Sequence, residues 1–393
     1  MKITIICDVL GRENNGTTIA AMNLIRSLKS KGHDVTVVCP DEDKKGLEGY
    51  VVMPKRSFGI FDNYVEKNGV TIAKADEDAL RRAIEGADVV HLLVPFMMSW
   101  ASVKIARELG IPLTASFHCQ AENLSAHLFL MNAGHFNNDV YRFFYKKVYR
   151  YCAAVHYPTR FIKETFEEAV GAKTNAYVIS NGVNKRFVRR PTEKPENFRD
   201  RFVILFTGRY SKEKSHRVLI DAAAESKYAD RIQLIFAGDG PLKEELGEYA
   251  AKKLKNQPLF RFFSREEMLD VLNYADLYVH PAEIEIEAIS CLEAITCGLV
   301  PVIADSPRSA TRFFALGEDN LFRHGDPMSL AGKIDFWIEH PEKEACRGRY
   351  LGYAKQFDQD ACMDGMEKML RDAAEGRVHG SEEENGILQR SAE

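Results

Sequence analysis

A chain of 393 residues with 45% hydrophobic side chains is long enough for two domains, each with its own core. A formal net charge of −4 gives no whole-protein case for nucleic acid, although residues 1–184 are mildly basic, with 22 Lys+Arg against 20 Asp+Glu, and the remainder acidic, with 31 against 37. No apolar run approaches the ~18 residues of a membrane span, and the eight cysteines form no Cys-x-x-Cys pair, which suits buried reduced thiols in a cytosolic compartment.

The first segment, Lys2 to Cys7, is β-branched with little alternation, as a parallel strand buried on both faces should be; Asp8 interrupts it too early for a signal peptide. A loop from Gly11 to Thr18 then opens a helix from Ile19 to Ser30, followed by a strand from Asp34 to Cys39, which makes a βαβ unit. Gly11 and Gly16 have P-loop spacing, but Thr17 stands where a lysine must reach the phosphates, and the loop is not GxGxxG, so a kinase, an ATPase and a dinucleotide dehydrogenase are all disfavoured. The alternation continues with helices at 76–84 and 99–109 and strands at 88–94 and 113–117. His118 follows the last of these, at the strand end where side chains face a ligand crevice.

From His127 to Tyr151 the chain interleaves aromatics with Arg142, Lys146, Lys147 and Arg150. On one helix Arg142, Lys146 and Arg150 share a side, while Val140, Phe144, Val148 and Tyr151 form an apolar stripe. That is either a helix lying on an anionic bilayer or a sheet-covering helix with a solvated basic edge. The polar run Arg189 to Arg201 reads as a linker.

The second half opens with a strand from Phe202 to Thr207, then Gly208-Arg209-Tyr210-Ser211-Lys212-Glu213-Lys214 before a helix from 215 to 224. Two cations beside helix N-terminal amides suit a diphosphate. Asp239, between two glycines, reads as a turn residue, because the paired-carboxylate DxD of a metal-dependent transferase is absent. From Tyr274 to Asp305 come a short strand, a loop with Glu285, a helix carrying Glu293 and stopped at Gly298, and a second strand. Residues 347–375 read as one amphipathic helical stretch, and 376–393 as a polar, disordered tail.

The Pro-Ala-x-x-Glu loop ending at Glu285, the Glu-x7-Glu spacing to Glu293, LEAITCG, PVIAD, GRxxxEK from Gly208 and Asn181-Gly-Val-Asn184 together resemble retaining family 4 nucleotide-sugar glycosyltransferases, a family that includes bacterial diacylglycerol glucosyltransferases. The resemblance covers about residues 1–372 and implies the α/β GT-B fold, two facing Rossmann-like domains with parallel sheets and a cleft between them. The acceptor-side domain would be 1–188, joined by a crossing helix at about 350–375, and the donor domain 200–349. The resemblance puts Glu285 on the transferred sugar and Glu293 on the nucleotide ribose. Arg209 and Lys214, with Gly208, would hold the donor diphosphate, Gly16 would face the donor phosphates, and His118 would lie by the sugar's primary hydroxyl and anomeric centre. Two departures stand out: Ile286-Glu287-Ala288 where the family has Gly-Phe-Gly, and Pro307-Arg308-Ser309 where it has paired glycines.

The expected activity is hexose transfer from a UDP-glucose-like donor with retention, catalysed by Arg209, Lys214, Glu285 and His118 without metal or cofactor. The expected acceptor is a membrane lipid such as diacylglycerol or a glycolipid, reached at the inner face of the cell membrane. The alternatives are a soluble glycan or small-molecule acceptor, a GT-B epimerase or phosphorylase, and a sugar-nucleotide-binding protein that has lost catalysis.

Overall fold

The computed structural model describes residues 1–8, 10, 16–57, 59, 73–126 and 133–377. The loop residues Gly11 to Asn15, the residues 127–132 and the tail from 378 lie outside this set. The chain divides into two units, Met1–Asn181 with the stretch from Asp360 onward, and Gly182–Gln359.

In the first unit the elements run β1 (Lys2–Ile6), α1 (Gly16–Ser30), β2 (Asp34–Cys39), β3 (Tyr50–Val52), α2 (Glu77–Ile84), β4 (Val89–Leu92), α3 (Met97–Leu109), β5 (Leu113–Ser116), α4 (Ala121–Ala126), α5 (Gly134–Lys147), β6 (Ala154–Tyr157), α6 (Arg160–Val170) and β7 (Ala176–Val178). The seven strands form one parallel sheet in the order β3-β2-β1-β4-β5-β6-β7. Helix α1 buries Ala20, Ala21, Leu24, Ile25 and Leu28, the 3.6-residue stripe that a sheet-covering helix needs. It begins at Gly16, three residues earlier than its apolar pattern suggests, so Gly16 is a helical residue; a Cβ there would meet nothing within 4 Å. Helix α3 likewise begins early, because the buried Asp8 carboxylate at the end of β1 accepts from the backbone of Met98 (2.7 Å) and Ser99 (3.2 Å) and acts as its N-terminal cap. Burial outweighs these bonds and raises the Asp8 carboxyl to about 6.

The middle of this sheet carries a buried polar chain. His156 Nε2 lies 2.7 Å from the carbonyl of Ile179, an obligate acceptor, so that nitrogen holds the proton. His156 Nδ1 then accepts from the Ser116 hydroxyl at 2.9 Å, Ser116 accepts from His91 Nε2 at 3.0 Å, and His91 Nδ1 accepts from Thr114 at 2.9 Å. The order of partners fixes the His156 tautomer, and burial keeps both rings neutral. Burial pushes His91 down to about 3 and His156 to about 4.

The second unit contains β8 (Phe202–Thr207), α7 (His216–Glu225), β9 (Ile232–Ala237), α8 (Lys243–Lys253), β10 (Leu259–Arg261), α9 (Arg265–Tyr274), β11 (Leu277–His280), α10 (Ile289–Thr296), β12 (Pro301–Asp305), β13 (Leu321–Arg323), α11 (Pro327–Glu339) and α12 (Lys343–Ala354). Its sheet is parallel, in the order β10-β9-β8-β11-β12-β13, so strand order reverses between β8 and β11. Ligands bind open α/β sheets at the carboxyl ends of strands flanking such a reversal.

Two sequence expectations need correction. The run from Arg189 to Arg201 is no free linker. Arg189 donates to the carbonyl of Asn273 (2.8 Å), Arg190 pairs with Asp270 (2.7 Å), Lys194 pairs with Asp276, and Phe187 and Phe198 are buried in the second core. The boundary between the units lies at Asn181/Gly182, within the Asn181-Gly-Val-Asn184 turn that the resemblance puts at the interdomain crossing, and not in the run 189–201; Gly182 adopts φ 76°. The helical stretch at 347–375 is also two helices. α12 ends at Ala354, a 3-10 turn spans Lys355–Phe357, and α13 (Gln359–Ala374) belongs to the first unit from Asp360 onward. There Met363, Met366, Met369 and Leu370 enter the core, and Lys31 pairs with Asp364 and Glu367.

Candidate active site

At the reversal of the second sheet three loops are joined by backbone hydrogen bonds. The amide of Glu283 donates to the carbonyl of Glu213 (2.8 Å), and the amide of Ala310 to the carbonyl of Glu285 (2.9 Å), which forms an isolated bridge with Ser309. The loop after β8 is thereby fixed to the loops after β11 and β12. Close packing on the other side demands glycine. A Cβ on Gly238 would stand 2.0 Å from the carbonyl oxygen of Gly208, and one on Gly240 would stand 2.6 Å from the backbone of Tyr210. Asp239 is the turn residue expected, its carboxylate accepting from the amide of Gly240 at 2.9 Å.

These loops bring together residues 71 positions apart: Lys214 forms an ion pair with Glu285. The sequence does not single out the third member, His280, which closes β11 and holds Glu285 through Nε2 at 3.1 Å. A histidine at a strand's carboxyl end was a usable signal, the same one that draws attention to His118. Burial alone would raise the Glu285 carboxyl, but the Lys214 charge and the His280 hydrogen bond outweigh it and hold it at about 2. Glu285 is therefore held ionised beside Lys214.

Glu293 behaves oppositely. It lies one turn into α10, not two, and no hydrogen bond or ion pair of its side chain is found among the described residues. Burial raises its carboxyl to about 8, with the charge of Arg265 opposing weakly. A half-buried carboxyl without a partner suits a ligand that brings hydroxyl groups. Arg209 and Gly208 follow β8 at the same mouth, and Arg209 is half-buried. His216 opens α7 with its imidazole boxed by Phe206, Tyr210 and Phe236. Neither of its nitrogens has a hydrogen-bond partner, and burial lowers it to about 3.

The loop without glycines keeps a glycine-like backbone. Ala288, the residue before α10, sits at φ 62°, ψ 73°, and Ser215, the residue before α7, at φ 53°, ψ 36°, the two non-glycine residues with positive φ among those described. Both flank helix N-termini, where amides face an anion. A left-handed non-glycine residue costs roughly 1–2 kcal/mol. Ala288→Gly relieves that strain while adding about 0.5–1 kcal/mol of unfolded-state entropy, so a net gain near 0.5–1 kcal/mol is expected in denaturant unfolding. A loss of stability would show that the loop relaxes when unliganded. The other departing residue, Arg308, is tied into the same cluster by an ion pair with Glu283.

In the first unit His118 lies two residues beyond β5 and is half-buried, its ring 5.7 Å from that of His156 in an edge-on arrangement. Burial and the neighbouring His156 and His91 lower its pKa well below the ordinary value. The basic segment breaks sooner than its pattern suggests. Helix α5 ends at Lys147, and Arg150 sits in a 3-10 turn (Tyr149–Tyr151), so it does not continue the side shared by Arg142 and Lys146. All four cations are exposed. Among the described residues no cluster of three or more His, Cys, Asp or Glu is arranged for a metal ion, and no helix is long and apolar enough to cross a membrane.

The neutral histidines set a pH dependence. In the unfolded chain they bind protons below about 6.5, while folded His91, His156 and His216 remain neutral to about 3, 4 and 3, so stability rises with pH across that window. Asp8, moved from 3.8 to about 6, and Glu293, from 4.5 to about 8, act in the opposite sense. With His118 and His280 lowered in the same sense, the histidines outnumber the two carboxyls and leave a net rise, about 1.4 kcal/mol per pH unit for each excess proton. Thermal melts should therefore show Tm climbing from pH 4.5 to about 6.5, then easing down and flattening by about pH 8, where Lys343, lowered by burial from 10.5 to about 8, offsets Glu293. A flat profile would contradict the buried neutral state.

Two family models, Glycosyltransferase Family 4 over residues 14–187 and Glycosyl transferases group 1 over residues 188–351, match in succession. The chain belongs to the family 4 glycosyltransferases and has their GT-B fold; it is an enzyme of glycosyl transfer. It is 24% identical to the alpha-monoglucosyldiacylglycerol synthase of Streptococcus pneumoniae over 77% of this chain and 71% of that one. It is 25% identical to the GDP-mannose-dependent alpha-mannosyltransferase of Corynebacterium glutamicum over 86% and 78%. The structure of Anabaena HepE in complex with UDP and glucose superposes with a TM-score of 0.73 at 18% identity, covering 95% of this chain and 100% of that one.

Proposed function

We propose that the enzyme transfers a hexose, with retention, from a UDP-glucose-like donor to a membrane lipid such as diacylglycerol or a glycolipid. The observation that carries this reading is the Lys214–Glu285–His280 cluster at the reversal of the second sheet, with the unpartnered Glu293 on the helix that follows the Glu285 loop. Lys214, Arg209 and the amides at the start of α7 bind the diphosphate and stabilise the charge it gains as the bond to the sugar breaks. Glu285 accepts hydroxyl groups of the transferred sugar, and Glu293 accepts those of the ribose. Gly208 lets the loop approach the phosphates, and the leaving phosphate takes the acceptor's proton. A monoglucosyldiacylglycerol synthase among the relatives and the exposed cations Arg142, Lys146, Lys147 and Arg150 support a lipid acceptor met at the inner face of the cell membrane.

The test is donor consumption across UDP- and GDP-hexoses, with diacylglycerol in anionic vesicles or with soluble glycans, and the anomeric proton of the product read by NMR. An α-linked glycolipid from an α-linked donor supports the reading. Donor hydrolysis or epimerisation without transfer would favour the epimerase or phosphorylase alternative. Binding without turnover would favour a protein that has lost catalysis. The cations take the role a metal plays elsewhere, so turnover should survive a chelator; complete inactivation rescued by magnesium or manganese would overturn that assignment.

A further inference from the structure

Helices α3 and α5 of the first unit leave between them an open groove of about 720 Å³, lined by Trp100 and Arg107 on one side and by Lys146, Lys147 and Tyr151 on the other. Arg107 and Lys147 of its lining, and the neighbouring Arg150, are stacked on aromatic rings. The guanidinium groups of Arg107 and Arg150 lie 4.6 and 4.9 Å from the centre of the Tyr151 ring, and the Lys147 ammonium lies 5.9 Å from that of Trp100 and 5.8 Å from that of Phe143. The indole N–H of Trp100 is bound to the carbonyl of Pro95 at 2.8 Å, which sets the ring edge-on to Phe143 at 5.3 Å.

The charges are not balanced from within. Glu108, at the groove's edge, is paired with Arg81, and Glu77 takes Lys104 at 3.0 Å. Among the described residues no carboxylate lies within ion-pair distance of Arg107, Lys146, Lys147 or Arg150. Ring stacking contributes roughly 0.5–1 kcal/mol per exposed cation, which orients the side chains and leaves their charge uncompensated. Three cations in one groove, Arg107, Lys146 and Lys147, repel each other unless an anion joins them.

The same helix exposes apolar surface. Phe136 and Phe143 are 37% and 41% exposed, and their seven-residue spacing puts them on one face of α5, while Tyr141 and Phe144 fill the core from the other. A helix with exposed phenylalanines beside unpaired cations has the make-up of one lying at the boundary between headgroups and acyl chains.

We propose that this groove holds the phosphate of an anionic phospholipid headgroup, clamped by Arg107, Lys146 and Lys147, with Arg150 stacked on the lining ring of Tyr151 and Phe136 and Phe143 set below the headgroups. The inference rests on the reading that the enzyme works at a lipid surface, and it extends that surface to α3, whose Arg107 the sequence pattern does not single out. It makes docking site-specific rather than a sum of scattered charges. Arg142, which is outside the groove and paired with Asp139 at 3.3 Å, contributes little.

The test uses the full-length protein with vesicles of phosphatidylcholine alone or doped with phosphatidylglycerol, in co-sedimentation. Each groove cation is worth about 1 kcal/mol at an anionic surface, so Arg107→Ser and Lys147→Ser should each weaken partitioning about fivefold, and Arg142→Ser distinctly less. Soluble short-chain phosphatidylglycerol should compete with the wild type and fail to compete with Arg107→Ser. Retained UDP binding by calorimetry and unchanged melting confirm that the variants fold. If the wild type binds doped vesicles and all three variants bind alike, the groove assignment is wrong while the lipid-surface reading stands. If the wild type ignores doped vesicles at low salt, that reading fails and the groove with it.

Discussion

Lys214→Ala is expected to lower kcat/KM by about two orders of magnitude for every donor. Two effects combine. The diphosphate loses a charge-assisted contact worth roughly 1.5–3 kcal/mol, and Glu285, whose side chain is only 14% exposed, loses the cation that holds it ionised. Because the diphosphate is common to all nucleotide sugars, the loss should not discriminate among hexoses. Lys214→Arg should restore part of the activity, since a guanidinium can serve both the carboxylate and a phosphate. Unchanged kinetics in Lys214→Ala would remove the residue from the donor site.

Glu285→Gln and Glu293→Ala are expected to separate turnover from nucleotide binding. Glu285→Gln keeps the shape but not the charge facing Lys214 and His280, so kcat should fall about a hundredfold while the affinity for free UDP changes little. Glu293→Ala should instead weaken UDP binding by about tenfold, the scale of one lost hydrogen-bonded carboxylate contact. The Glu293 carboxyl is raised to about 8 in the free enzyme, and a carboxylate accepting two ribose hydroxyls favours the ionised form. Nucleotide binding should therefore release a proton and tighten from pH 7 to 8, and Glu293→Gln should abolish both effects in calorimetry. Equal loss of UDP affinity in the two carboxylate variants would mean that the division of roles is wrong.

The parallel sheets were legible because buried strands such as Leu277–His280 and Pro301–Asp305 are short apolar runs bounded by turn residues and helices. Strand ends and family-like motifs singled out Lys214 and Glu285 separately, whereas their ion pair is visible only in the structure. What composition could not reveal was geometry set by distant partners. Polarity and proline in Arg189 to Arg201 look the same whether the run is free or tied to Asn273, Asp270 and Asp276. Loss of the loop glycines suggested an altered backbone, yet Ala288 adopts the left-handed conformation, because bonds from Glu285 to the 308–310 segment hold the loop. The end of α5 at Lys147 was also hidden, since the apolar pattern runs on through Val148, which is buried after the helix has stopped.

The most direct test of the account is titration of UDP and of UDP-glucose into the wild-type enzyme and into a Lys214→Ala, Glu293→Ala double variant by calorimetry. The account predicts that the wild type binds both ligands at one site and that the double variant loses affinity for both by at least a hundredfold while melting as a folded protein. Wild-type affinity retained in the double variant would contradict a donor site at the reversal of the second sheet.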